Sequence, residues 1–412
     1  MSPFVPVPPR RLDDYREAAG PDAVDRLRRA AAPLTGAKVL HINSTAFGGG
    51  VAELLFAQVP LMNDLGIETG WQVIEGAEDF FTVTKFAHNG LQGAEVPWTP
   101  EMETIYLDRC RSNAEGVAGG FDYVIVHDPQ PAGILGALEE QGRRTGKWIW
   151  RCHIDLSAPH APVLDFFSRQ VDGYDGAVFT MEEFVPPDLT EPRLFIIPPS
   201  IDPLSLKNVH IDHETVYEVL SRYGVDRSRP ILTQVSRFDP WKDPLGVIDA
   251  YRLARKESPG LQLLLIGSMA HDDPEGWHYL EVTDAYRQGD PDIFLLSNLQ
   301  EVGSLEVNAF QRASAVVVQK SLREGFGLVV SEAMWKEVPV VGGNVGGIRL
   351  QIDDGVTGFL VTPVEACAER VVQILADLEL SSKMGRAGRE RVAERFLTLR
   401  ELEDHVGMLS AL

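Results

Sequence analysis

Short apolar runs alternate with longer amphipathic stretches along the first half of the chain. Lys38–Asn43 (KVLHIN) has the pattern of a buried strand, and Val51–Leu65 is predicted to form the next helix, with a kink at Pro60. Helical stretches separate most of the further strand-like runs, which are Trp71–Ile74, Tyr123–His127, Trp148–His153 and Ala177–Thr180.

The same alternation begins again after the proline-rich segment at 197–199. Helical patterns at about 244–258, 303–313 and 328–337 lie between strand-like runs at Ile231–Val235, Leu261–Ile266, Ile293–Leu296, Ala315–Gln319 and Pro339–Val341. Strands that alternate with helices predict βαβ units and parallel sheets. Two such sets, each of roughly 200 residues, predict an α/β protein with two doubly wound domains and a cleft between them.

Charge and cysteine content narrow the expected partners. The 412 residues include 38 basic and 60 acidic ones, a net charge of −22 that repels phosphate backbones and anionic lipid. Neither nucleic acid nor a membrane is therefore an expected partner. Three widely spaced cysteines imply no disulfide framework, and the start MSPFVPVPP lacks the features of a signal peptide, so we expect a cytoplasmic protein.

The segment EGFGLVVSE, residues 324–332, follows the predicted strand Ala315–Gln319 and opens the next helix. Its two glycines let the backbone approach a ligand, and amides at a helix start favour an anion. The residues that would provide these features are Gly325, Phe326, Gly327 and Leu328. A plain helix with acidic residues near its start is the alternative.

Two glutamates frame this segment. Glu324 can accept hydrogen bonds from sugar hydroxyls, and Glu332, about one turn inside the helix, can accept them from a vicinal diol such as a ribose. Together with the glycines between them, they predict a sugar-nucleotide site.

Two cations follow the predicted strand Ile231–Val235, in the segment SRFDPWKD. Arg237 and Lys242 would stabilise a leaving diphosphate, on which negative charge builds in the transition state. The alternative is a surface ion pair between Lys242 and Asp239 or Asp243.

Two glycine-rich loops also follow predicted strands. Residues 48–50 (GGG) lie between the first strand and the first long helix, where a phosphate-binding loop is expected, although they match neither G-x-G-x-x-G nor a Walker A motif. A tight turn is the alternative. Residues 345–348 (VGGI) would supply a second set of amides or form an ordinary loop turn.

Polar residues end two strands of the first half. Asp128 and Gln130, in HDPQP, are suited to binding a neutral sugar, and His153, in RCHID, would bind a sugar hydroxyl or have a structural role. The sequence contains no metal-binding motif and no G-x-S-x-G nucleophile elbow.

Three motifs of the second half resemble those of retaining glycosyltransferases with two facing Rossmann-like domains, the GT-B architecture. These motifs are SRFDPWKD, SLREGFGLVVSEAMWK and PVVGGNVGGI. The first-half strings HINSTAFGGGVAELL, HDPQP and RCHID resemble those of glycosyl-transferring trehalose synthases, which join a nucleotide-activated glucose to free glucose. The resemblance begins at about residue 38. It implies an acceptor-binding domain at 1–203, a nucleotide-sugar-binding domain at 204–396, and a final helix at 397–412 that returns to the first domain.

The resemblance also implies residue roles. Arg237 and Lys242 would hold the donor diphosphate, Glu324 and His153 would contact the transferred glucose, and Glu332 would bind the ribose. The amides of residues 325–328 would line the glucose and phosphate. Gly49 and Gly50 would approach the diphosphate, whereas Asp128, Gln130 and Glu75 would face the acceptor.

The expected reaction produces trehalose, with retention, from glucose and a UDP-, ADP- or GDP-linked glucose. No cofactor is expected to be required, although Mg²⁺ with the diphosphate is left open, as is a homodimer. Rival hypotheses are a retaining trehalose phosphorylase, a transferase with another acceptor, and a non-catalytic nucleotide-sugar sensor. A dehydrogenase lacks its glycine fingerprint here.

Overall fold

A computed structural model describes residues 4–187, 189, 192–269 and 274–412. Before residue 200 the strands are β1 (Lys38–Asn43), β2 (Glu68–Val73), β3 (Tyr123–His127), β4 (Lys147–Arg151), β5 (Gly176–Phe179) and β6 (Arg193–Ile196). The helices of this part are α1 (Arg16–Ala19), α2 (Pro21–Ala31), α3 (Gly50–Asp64), α4 (Glu78–Leu91), α5 (Pro100–Glu115), α6 (Ile134–Glu140) and α7 (Ala161–Val171).

The second part repeats the alternation. Its strands are β7 (Ile231–Val235), β8 (Gln262–Gly267), β9 (Ile293–Ser297), β10 (Val316–Gln319), β11 (Val340–Gly343) and β12 (Phe359–Val361). The helices that follow residue 200 are α8 (His213–Arg222), α9 (Pro244–Glu257), α10 (Pro274–Arg287), α11 (Ser304–Ala313), α12 (Leu328–Trp335), α13 (Gly346–Gln351), α14 (Val364–Ala376), α15 (Leu378–Arg395) and α16 (Thr398–Ala411).

The chain divides into two compact units. Unit 1 contains Met1–Pro199 together with Thr398–Leu412, and unit 2 contains Ser200–Leu397. The final helix α16 packs against α2 and α3, so the chain ends in the unit in which it began.

Each unit is built on a parallel sheet, with six strands in the part of the chain that the structure describes. The order in unit 1 is β2-β1-β3-β4-β5-β6, and the order in unit 2 is β12-β11-β10-β7-β8-β9. Helices cover these sheets, which explains why a strand such as β8 is buried along its whole length. The predicted pair of doubly wound α/β domains is confirmed.

The strand order identifies one special position in each sheet. The chain winds outward in both directions from β7 in unit 2, and the direction reverses between β7 and β10. In unit 1 the reversal falls between β1 and β3. In doubly wound sheets, ligands bind at such switch points, beyond the carboxyl ends of the strands.

The local structure adds to the expectations from the sequence. Helix α3 (Gly50–Asp64) continues through Pro60, which is buried, and the kink there stays a prediction. Strands β6 and β12 were not predicted. In the described ranges no helix is long and apolar enough to cross a membrane.

Candidate active site

The switch point of unit 2 brings together two residues that are far apart in sequence. Lys242 ends a short 3-10 turn after β7, and Glu324 lies in the loop after β10. Lys242 Nζ donates to Glu324 Oε1 and Oε2, each at 2.7 Å. The paired side chains therefore link the carboxyl ends of two neighbouring strands.

Glu324 is almost fully enclosed, with 7% of its surface exposed. Ser321 Oγ donates to its Oε2 at 2.9 Å, and Gln319 Nε2 donates to the same oxygen at 3.3 Å. Burial alone would raise the pKa of this carboxyl, but the charge of Lys242 and the hydrogen bonds hold the pKa below its ordinary value. Glu324 is therefore an ionised carboxylate held by protein donors.

A second ion pair ties the same two loops. Lys320, which is 4% exposed, donates to Asp243 Oδ2. Asp243 has a φ of 50° and caps α9 by accepting from the Gly246 amide at 3.1 Å. The loop conformation around Lys242 is thus fixed from both sides.

Arg237 has a different environment from Lys242. Its Nη2 lies 3.1 Å from Asp239 Oδ2, and 44% of its side chain is exposed. The partners therefore differ from the alternative raised by the sequence, because Arg237 pairs with Asp239 while Lys242 pairs with Glu324.

The start of α12 has the geometry expected of an anion-binding turn. Gly327 is the N-cap residue and adopts a φ of 79°, which a residue with a side chain rarely does. The amides of Phe326, Gly327 and Leu328 donate to no backbone carbonyl outside the helix among the described residues. Such amides at a helix start are available to an anionic group.

Glu332 lies deeper in α12 and is 2% exposed. Gln311 Nε2 donates to its Oε2 at 3.2 Å, and Lys207 Nζ lies 3.7 Å from its Oε1. The neighbouring Lys336, whose pKa burial lowers to about 7, donates to the Glu332 carbonyl and to Asn208 Oδ1. Glu332 is therefore held among basic residues of unit 2.

The glycine-rich segment at 345–348, which forms the N-cap and first turn of α13, supports the α12 turn by close packing. Its Gly347 amide donates to the Glu324 carbonyl at 3.2 Å. A Cβ at Gly347 would lie 2.5 Å from the Gly325 carbonyl oxygen and from Phe326 Cα. Gln351, which the sequence analysis missed, donates to the Phe326 carbonyl at 2.6 Å.

Gly347→Ala is expected to lower kcat/KM roughly 100-fold, because the added methyl group must displace the backbone of the α12 turn, and small misplacements in active sites have effects of about this size. Steady-state kinetics of the purified variant measure the loss. Gly260→Ala is the matched control, since within the described part of the chain its Cβ would meet only Pro230 Cδ, at 3.8 Å. Equal activity of both variants would contradict the close-packing argument.

The glycine loop of unit 1 follows β1 at the second switch point. Gly48 has a φ of 75°, Gly49 is the N-cap of α3, and Gly50 is its first residue. Among the described residues, a Cβ at Gly49 would meet nothing within 4 Å. Internal packing thus leaves open space beside Gly49.

Asp128 and His153 are held together after strands β3 and β4. Asp128 has a φ of 64°, and its Oδ1 accepts from the His153 amide at 2.8 Å. Burial raises the pKa of the Asp128 carboxyl to about 6. Asp128 therefore positions the loop that carries His153.

The other two acceptor candidates from the sequence, Gln130 and Glu75, also belong to unit 1. Gln130 Oε1 is buried and has no hydrogen-bond partner within the described part of the chain. Glu75 is exposed after β2, and its backbone is fixed by the Asn113 side chain through bonds of 2.8 Å.

A chain of imidazoles, which the sequence analysis missed, lies behind His153. His41 Nδ1 is 3.0 Å from His127 Nε2, and His127 Nδ1 is 3.0 Å from His153 Nε2. The signal in the sequence is His41 itself, an ionisable residue inside an otherwise apolar strand. No group of three or more His, Cys, Asp or Glu side chains in the described ranges is arranged to hold a metal.

Comparison with known proteins identifies the fold and the family. Residues 41–186 match the family described as trehalose synthase, N-terminal domain, and residues 220–391 match glycosyl transferases group 1. The chain is 50% identical over 406 residues to a trehalose synthase of Rubrobacter xylanophilus, covering 98% of this chain and 97% of that protein. It is 49% identical over 404 residues to a trehalose synthase of Pyrococcus furiosus, with coverage of 98% and 97%.

Solved structures agree on the fold. A UDP-forming α,α-trehalose-phosphate synthase from Burkholderia xenovorans superimposes with a TM-score of 0.73 at 14% identity, over 91% of this chain and 100% of that one. Two doubly wound units, together with the match to glycosyl transferases group 1, define a glycosyltransferase of the GT-B class. The chain belongs to the trehalose synthase family, and its activity is that of a trehalose-related glycosyltransferase.

Proposed function

We propose that this protein transfers glucose from a nucleoside-diphosphate glucose to free glucose, with retention of configuration, and so forms α,α-trehalose reversibly. The observation that carries the proposal is the Lys242–Glu324 pair at the switch point of unit 2, in a member of the trehalose synthase family. The pair joins a cation and a carboxylate at the ends of adjacent strands, and a carboxylate is suited to accepting hydrogen bonds from a sugar.

The lone pairs of Glu324 indicate how it would bind the sugar. A carboxylate has about four acceptor sites, two on each oxygen. Lys242, Ser321 and Gln319 all donate to Oε2, whereas Lys242 is the donor to Oε1 among the described side chains. Oε1 therefore retains a lone pair for a hydroxyl of the transferred glucose.

The proposed reaction depends on stabilising the charges that separate as the donor bond breaks. The bond between the anomeric carbon and the phosphate oxygen breaks towards an oxocarbenium-like state, and the electron pair stays on the departing diphosphate. Lys242 and Arg237 stabilise that developing charge, together with the amides at the start of α12. Glu332 binds the ribose, and Gly49 and Gly50 approach the diphosphate.

The acceptor glucose attacks from the face that the diphosphate leaves. Its anomeric hydroxyl passes its proton to the leaving phosphate oxygen, so this route needs no protein base. Asp128, Gln130 and Glu75 are the proposed acceptor contacts, and His153 contacts the transferred glucose.

A matrix of donors and acceptors tests the proposal. Release of nucleoside diphosphate is expected to be fastest with glucose as acceptor, for one or more of UDP-, ADP- and GDP-glucose, and NMR of the product is expected to show an α,α-1,1 linkage. Turnover only with another acceptor would overturn the trehalose assignment. Donor binding without turnover across all acceptors would favour a sensor.

A trehalose phosphorylase is the second candidate. The observation in its favour is 29% identity over 439 residues to the trehalose phosphorylase of Pleurotus pulmonarius, which covers 94% of this chain but 59% of that protein. The proposed ribose contact of Glu332 argues against it. Cleavage of trehalose with a nucleoside diphosphate, and its absence with inorganic phosphate, would exclude the phosphorylase.

A further inference from the structure

Three histidines of unit 1 form a continuous chain. The rings of His41 and His127 are stacked with centroids 5.3 Å apart, and those of His127 and His153 with centroids 5.4 Å apart. In both contacts a ring Nδ1 faces the Nε2 of the next ring at 3.0 Å. The contacts are therefore hydrogen bonds between imidazoles.

The strand register explains why the three rings meet. His41 is opposite Ile125, two residues before His127, and Arg151 is opposite His127, two residues before His153. Residues two apart on a strand share a face, as Ile125 and His127 do, and His153 lies two residues beyond the end of β4. Each histidine therefore lies one strand further across the sheet than the one before it, and two residues nearer to the carboxyl edge. The row of three imidazoles thus runs from the core towards the edge of the sheet where ligands bind.

All three imidazoles are neutral. Burial lowers the pKa of His41 to about 3, and it lowers the pKa values of His127 and His153 well below their ordinary range. The positive charge of Arg151 lowers the pKa values of His127 and His153 further. A neutral imidazole has one N–H donor and one acceptor nitrogen.

If all three histidines are neutral, the protons on their rings can be arranged in two ways. Each contact needs one proton between its two nitrogens, so the choice at one ring fixes the next. Either all three histidines carry the proton on Nδ1, or all three carry it on Nε2. In the first case Nδ1 of His153 is a donor, and in the second it is an acceptor.

The buried end of the chain distinguishes the two arrangements. His41 is 0% exposed, and its Nε2 has no hydrogen-bond partner among the described residues. In the second arrangement this nitrogen would carry a buried N–H without an acceptor, which is rarer in proteins than an unused acceptor. The first arrangement leaves only a lone pair there.

We propose that His41 and His127 fix His153 as the Nδ1–H tautomer, so that His153 donates a hydrogen bond to an oxygen of the ligand. The identity of that ligand, a hydroxyl of the transferred glucose, rests on the proposed function, whereas the tautomer does not. His41 and His127 are positioning residues, and Nδ1 is the nitrogen of His153 that the chain leaves for a ligand.

Imidazole ¹⁵N spectra of the full-length protein at neutral pH test the tautomer. Single His→Phe variants at positions 41 and 127, and His153→Asn, assign the signals. Pyrrole-like Nδ1 and pyridine-like Nε2 signals are expected for all three residues. A pyridine-like Nδ1 on His153, or a doubly protonated ring, would overturn the proposal.

The His127→Phe variant tests the positioning role. It removes the donor to His153 Nε2, so the His153 signals are expected to shift towards Nε2–H, the commoner tautomer of a free imidazole side chain. A merely structural His127 would change the stability of unit 1 and leave the tautomer of His153 as it was. An unchanged Nδ1–H signal of His153 in this variant would therefore contradict the positioning role of His127.

Paired substitutions of His153 test the donated hydrogen bond. The amide of His153→Asn places an N–H donor near the position of Nδ1, whereas His153→Leu places none there. The asparagine variant is expected to retain a kcat/KM for the donor roughly three- to tenfold above that of the leucine variant. Equal losses would contradict the donor role. If the wild-type protein is inactive but His153 gives the Nδ1–H signal, the proposed function is wrong and the tautomer proposal is still supported.

Discussion

Lys242→Met is expected to lower kcat about 10²- to 10³-fold, the size of loss seen when one group that stabilises transition-state charge is removed. The proposed partner of Lys242 is the diphosphate, whose charge develops as the glycosidic bond breaks, so turnover is expected to fall more than substrate binding. Steady-state kinetics with the best donor and glucose measure the effect. An unchanged kcat with only a raised KM would show that Lys242 does not act in the transition state.

The Lys242–Glu324 ion pair complicates this experiment in a way that the structure can resolve. Loss of Lys242 leaves the buried Glu324 carboxylate without its cation, and breaking a buried pair costs about 3–5 kcal/mol of stability. The double variant Lys242→Met/Glu324→Gln removes both charges. It is expected to recover much of the thermal stability but not kcat. Lys256→Met, at an exposed position of α9, is the control for loss of a lysine.

The sequence predicted the loops of the candidate site but not the pairing within it. SRFDPWKD and EGFGLVVSE each follow an apolar run, which is sufficient to place them at strand ends. The contact between Lys242 and Glu324 spans 82 residues and exists because β7 and β10 are neighbours in the sheet. Alternation of strands and helices carries no information about strand order. The sequence therefore offered only the near neighbours Asp239 and Asp243 as partners of Lys242.

The two unpredicted strands share a physical reason. β6 and β12 lie at sheet edges, where one side of the strand pairs with no other described strand. β12 has three residues, and the side chains of β6 are largely exposed, so neither forms the long apolar run that marks a central parallel strand. The role of His41 was missed for a different reason. The sequence around His41 in β1 contains no information about the histidines on β3 and beyond β4, which strand pairing brings next to it.

Glu401 on α16 is buried with Arg151 at the end of β4. Both side chains are 1% exposed, and Glu401 Oε1 lies 3.6 Å from Arg151 Nη2. Burial lowers the pKa of Arg151, and the charge of Glu401 opposes that shift. The ion pair thus connects the final helix to the sheet of the unit in which the chain began.

Glu401→Leu is expected to lower the free energy of unfolding by about 3–5 kcal/mol, because Arg151 is left as an unpaired buried charge. For a unit of this size the melting temperature is expected to fall by roughly 10 °C, measured by calorimetry. Glu403→Ala on the same helix is the matched control, since its partner Arg26 is 3.7 Å away and 53% exposed, and a surface pair of this kind contributes about 0–1 kcal/mol. The double variant Arg151→Met/Glu401→Leu is expected to regain most of the loss, because replacing both members of a buried pair by apolar residues is often neutral. If Glu401→Leu has the same melting temperature as the Glu403→Ala control, the buried pair does not hold α16 to the sheet.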